Sequence, residues 1–175
     1  MKKKNKWEEK DNIMYLELTS TKITGLEWLD KIRQSQDTVD EDLANMLLSN
    51  DFVPTQKTYK VAILRSRFYP DEYGWTSPEY TQAFAEKEMG FVEPSHEVGL
   101  LAFTYFNAQD LHTIGLKQLR CPAEGTEIPY KHYGKMGMYP CISLLPNYQY
   151  TVYSFLAQKL GFDEDNEYLF LVPEK

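Results

Sequence analysis

Two histidine–cysteine pairs in this sequence share one spacing. Eight residues separate His112 from Cys121, and eight separate His132 from Cys141. Two imidazoles and two thiolates would complete a tetrahedral zinc set, but closed zinc sites pair their ligands about two to five residues apart, within one tight turn. The interval here lacks that local geometry, so no metal is assigned. The same residues could instead build a nucleophile. A thiolate at Cys121 would need His96, His112 or His132 as its base, with a carboxylate or amide orienting the ring. Pro122 follows Cys121 directly, and no hydrolase signature surrounds it. Cys141 stands in the apolar run 139–145, which suits a packed thiol. A small Cys/His-dependent hydrolase or transferase is therefore the alternative reading, with Cys121, His112 and His132 as its catalytic candidates.

Nucleotide and calcium chemistry find less support. The segment His132-Tyr133-Gly134-Lys135-Met136-Gly137 has glycines and a lysine, but it lacks the spacing of a phosphate-binding loop and leads toward a strand. The acidic run 163–167 lacks the glycine and the terminal glutamate of an EF-hand loop. No cofactor is assigned.

Recognition chemistry is better represented. The segment 65–80 places Phe68, Tyr69, Tyr73, Trp75 and Tyr80 among charges of both signs, between a strand and a helix. Interfaces favour Tyr, Trp and Arg, which combine large contact area with a polar handle; rings at the rim of a core give the same pattern. The net charge is −7, and it is unevenly spread. Residues 34–56 contain five acids, Asp37, Asp40, Glu41, Asp42 and Asp51, and neither Lys nor Arg. Five more acids lie in 160–175, whereas 111–135 holds four Lys/Arg and two His. Such a surface repels phosphates, so direct nucleic-acid binding is disfavoured. The leading expectation is a non-catalytic acidic protein that binds a macromolecular partner. Tyr69, Tyr73, Trp75, Tyr80, Asp40, Glu41 and Asp42 are its candidate contacts. In one version the partner has a basic groove and the chain imitates nucleic-acid charge, as phage-encoded host-defence inhibitors do. A small-molecule pocket between sheet and helices is a third possibility.

These side chains need a scaffold, and 175 residues with 42% apolar content can supply one core. No apolar run approaches the about 20 residues of a membrane helix. The basic start 1–6 leads into Trp7-Glu8-Glu9 without a signal-like apolar stretch, so a cytoplasmic location is expected. Residues 1–12 read as a flexible tail and 13–175 as a single α+β domain. Its sheet is expected to be mixed or antiparallel, with an N-terminal helical pair and further helices packed on it.

The helical pair rests on two capping boxes, Thr24-Gly25-Leu26-Glu27 and Thr38-Val39-Asp40-Glu41, which predict helices over 24–35 and 38–50. Ile23 and Trp28 have the spacing of a hydrophobic staple. Strands are expected at 13–18, 59–69, 98–106, 139–145 and 168–172. Further helices are expected from Pro78 to Met89 with Gly90 as the stop, over 108–119, and over 151–160.

Overall fold

The computed structural model describes residues 7–35, 39, 41–49, 52–68, 78–116, 118–121, 128–130, 134–136, 138–144, 150–156 and 166–174. Their centre is a mixed sheet of seven strands, in the order β1 (Glu8–Lys10), β2 (Ile13–Thr19), β3 (Thr58–Arg65), β9 (Asn166–Leu171), β4 (Gln118–Arg120), β7 (Met138–Leu144) and β8 (Tyr150–Leu156). The β4–β9 pairing is parallel and the others are antiparallel. A separate hairpin joins β5 (Ile128–Tyr130) to β6 (Gly134–Met136). The fold class is α+β, as expected.

Strand alternation divides the buried side chains into two layers. Met14, Leu16, Leu18, Val61, Ile63 and Leu169 join one core with residues of α1 (Gly25–Ser35), α2 (Glu41–Leu48), α4 (His96–Tyr105) and α5 (Ala108–Ile114). Ile13, Ala62, Leu64, Tyr168 and Phe170 project to the other face, where Ala85 of α3 (Pro78–Lys87) and Phe91 cover them. The period of two in β2, β3 and β9 is what makes both layers possible.

Helix α1 begins as its sequence predicts. Thr24 Oγ1 accepts from the Glu27 amide at 3.3 Å, and Glu27 Oε2 accepts from the Thr24 amide at 2.7 Å. The Thr24 amide, together with the Thr24 hydroxyl that donates to the same oxygen at 2.7 Å, holds the Glu27 carboxyl below the usual carboxylate range. Ile23 and Trp28 join the same core cluster. Of the second capping box, Thr38 and Asp40 lie outside the described residues, and the helix is described from Glu41. Helix α3 starts at Pro78, and Gly90 follows with a positive φ of 67° that favours glycine.

Five expectations need correction, the first being the strand expected over 59–69, which ends at Arg65 with Ser66–Phe68 in a 3-10 turn. Glu8–Lys10, read as tail, form β1 and pair with Ile13–Tyr15. Asp11 and Asn12 form the two-residue turn at φ of 53° and 62°, and Trp7 packs against the core. Residues 98–106 are not a central strand: 96–105 form α4, buried from Glu97 through Phe103. An apolar run without polar gaps suits a helix enclosed on all sides as well as a buried strand. Residues 150–156 are strand β8, paired along its length with β7, in place of the expected helix. Finally, α5 stops at Ile114, where Gly115 caps it in the left-handed region, and 118–120 turn into β4.

Candidate functional site

The densest polar constellation among the described residues centres on Glu97, at the second position of α4. Glu97 is 2% exposed. Its Oε1 accepts from Ser20 Oγ at 2.5 Å, and its Oε2 accepts from the Thr55 amide at 3.1 Å, Thr55 Oγ1 at 3.0 Å and Tyr59 OH at 3.0 Å. Ser20 Oγ also contacts the Thr55 carbonyl oxygen, and the Thr55 and Tyr59 hydroxyls contact each other. The positive end of the α4 dipole adds to these donors. Burial raises the Tyr59 phenol above its ordinary value; the Thr55 hydrogen bond opposes this, and the bond to Glu97 with its charge reinforces it.

The members come from four places in the chain: Ser20 follows β2, Thr55 lies in the segment before β3, Tyr59 is the second residue of β3, and Glu97 is the second residue of α4. The hydroxyl hydrogens have acceptors within the cluster. Such an arrangement can anchor one helix to two strands. It does not present a nucleophile to solvent, because Ser20 and Glu97 are both buried.

The thiol candidate is also enclosed. Cys121 is 2% exposed and its Sγ donates toward the Ser95 carbonyl oxygen at 3.8 Å. His112 lies exposed near the end of α5. His132 is outside the described residues, and the side chain of Cys141, in β7, is likewise not described. No group of three or more His, Cys, Asp or Glu able to hold a metal occurs among the described residues.

Of the candidate recognition residues, Tyr69, Tyr73, Trp75 and Asp40 lie outside the described residues. Tyr80 is in α3 and Asp42 in α2, with side chains not described. Glu41 opens α2 and is exposed. Ahead of the aromatic segment, β3 ends at Arg65 and Ser66–Phe68 form a 3-10 turn.

A surface that sequence reasoning did not single out lies where α1 meets α2. Gly25 touches the last turn of α2 so closely that a Cβ there would stand 1.6 Å from the Leu47 carbonyl oxygen. The residues that follow each member of that contact, Leu26 and Leu48, are 57% and 56% exposed. Val53, beyond a turn in which the Phe52 amide donates to Ser49 O, is 68% exposed. Glu27, Asp30 and Glu41 are exposed on the same two helices. The sequence signal is Leu26, an apolar residue two positions after the capping Thr24. Elsewhere, an open cleft of about 620 Å³ is lined, among the described residues, by Glu86, Gly90, Phe91, Val92 and Glu93.

No helix among the described residues is long and apolar enough to cross a membrane. No protein-family model matches this chain, and neither a curated protein nor a solved structure does. The chain is an α+β protein with a closed polar anchor at Glu97 and exposed leucines, Leu26 and Leu48, beside the contact of α1 with α2.

Proposed function

We propose that this chain is a non-catalytic acidic protein that binds a macromolecular partner through the junction of α1 and α2. The observation that carries the reading is the exposure of Leu26 and Leu48, the residues that follow the Gly25–Leu47 contact, with Val53 exposed in the segment after α2. Protein interfaces combine such an apolar centre with a polar rim. Here the rim is acidic, since Glu41 is exposed on α2 and residues 34–56 contain no Lys or Arg. The partner is thus a protein with a basic groove, and blocking a nucleic-acid-binding site is the form of inhibition that this charge favours. The neighbouring acids Asp40 and Asp42, and the aromatic segment with Tyr69, Tyr73, Trp75 and Tyr80, are further contacts under the same proposal. A cytoplasmic site of action belongs to it as well, supported by a buried Cys121 thiol. The enclosure of Cys121 gives the hydrolase alternative less support.

The test begins with affinity capture from the native host and continues with the captured protein in purified form. Its affinity is measured for the unaltered chain and for a Leu26→Ser/Leu48→Ser variant, at low and high salt. A loss of at least about tenfold in the variant is expected, as is steep weakening with salt. Equal affinity for both chains would remove the proposed surface, and salt-independent binding would remove the charge-mimic form.

A further inference from the structure

The two edges of the sheet are built differently. The β1 edge is three residues long, and all three, Glu8, Glu9 and Lys10, are charged and exposed. Short, charged edges are the usual protection against strand addition. The opposite edge, β8, has seven residues, Tyr-Thr-Val-Tyr-Ser-Phe-Leu, without a charge, a proline or a glycine. Five of the seven are β-branched or aromatic, the types best suited to strands. Among the described residues, β7 is its one strand partner, and it pairs with all seven positions. Helix α2 approaches β8 from among the helices of the larger core.

We propose that β8 pairs with β8 of a second copy of this chain, antiparallel about a two-fold axis, so that the sheet continues from one copy into the other. The strand is its own complement in the register centred on Tyr153. That register sets Tyr150 opposite Leu156, Thr151 opposite Phe155 and Val152 opposite Ser154, each twice, with Tyr153 opposite itself. Aromatic–aliphatic and aromatic–β-branched positions are favourable cross-strand partners, and like charges directly opposite are unfavourable. This register contains none of the latter. In a chain of net charge −7, two copies meet with least repulsion along an edge that carries no charge. A closed two-fold pairing also uses the β8 edges of both copies, so only the short, charged β1 edges remain open.

Light scattering coupled to size exclusion gives the mass of the unaltered chain across a concentration series. The expected result is a rise from one to two copies. A single copy at every concentration overturns the proposal, whatever else covers β8. Amide hydrogen exchange at low and high concentration then locates the interface in the unaltered protein. Protection is expected to increase in 150–156, and a dimer whose protection gain falls elsewhere overturns the proposal. Tyr153→Lys and Tyr153→Glu should each yield a monomer of unchanged helix content. Mixed together they should restore the dimer, because opposite charges then face each other across the two-fold. A dimer that persists in both single variants also refutes the pairing.

Discussion

Replacing Glu97 separates an architectural carboxyl from an incidental one. In Glu97→Ala, the Thr55 amide loses its acceptor at 3.1 Å, and it can only donate. Ser20 still has the Thr55 carbonyl oxygen to donate to. The Thr55 and Tyr59 hydroxyls can satisfy each other with one hydrogen, which leaves the second without an acceptor. Two donors are thereby stranded, at about 1–3 kcal/mol each. With the small void added, the expected loss is about 3–4 kcal/mol, a Tm decrease of roughly 6–16 °C for a chain of this size. In Glu97→Gln, the amide oxygen can take the Oε2 position and keep its three donors. The amide nitrogen then faces Ser20 Oγ, which accepts from it while donating to the Thr55 carbonyl oxygen. That variant loses only the strengthening that charge gives a hydrogen bond, about 1 kcal/mol. Both are measured by thermal and denaturant unfolding with circular dichroism. Equal losses in the two variants, large or small, would refute the argument from acceptor geometry.

Gly25→Ala should destabilise by about 2 kcal/mol, a Tm decrease of roughly 4–8 °C, because its Cβ would meet the backbone of Leu47 and not a movable side chain. A Tm within one degree of the parent would show that α1 and α2 separate freely there. Stability should also fall in alkali. The phenols of Tyr15, Tyr59 and Tyr105 are all raised above 10.0, chiefly by burial, so the folded chain holds their protons more tightly than the unfolded one. Their contribution is complete below about pH 10 and is lost as the pH rises through the higher folded values. Unfolding free energies measured from pH 8 to 11 should be level at first and then decline, and Tyr59→Phe should reduce the decline.

Much of the local structure was legible because its causes are local. Thr24 and Glu27 are three residues apart, so the α1 cap is written in four letters and the structure closes it with the expected bonds. The strand read over 13–18 matches β2, and Pro78 with Gly90 bracketed α3 and its stop. The β1 hairpin was also written locally, in Asp11-Asn12, but the charged residues around it resemble a solvated tail.

The sequence by itself determined an α+β chain with an acidic balance, a capped first helix and strands of alternating burial. Tertiary structure decided the rest, because the deciding contacts join distant residues. Whether 98–106 is strand or helix depends on what encloses it, and a run apolar on every side carries no period to settle that. Whether 150–156 is helix or strand depends on β7 lying beside it, although Tyr, Thr, Val and Phe already favour a pleated neighbour. Glu97 gathers Ser20, Thr55 and Tyr59 from 77, 42 and 38 residues away, so no local spacing could announce the cluster. The approach of Gly25 to Leu47 likewise joins two helices 22 positions apart in sequence, and which apolar residues beside it stay exposed, Leu26 and Leu48, depends on that packing. Capping and alternation act over one turn or one strand, whereas burial depends on which segments the folded chain brings together.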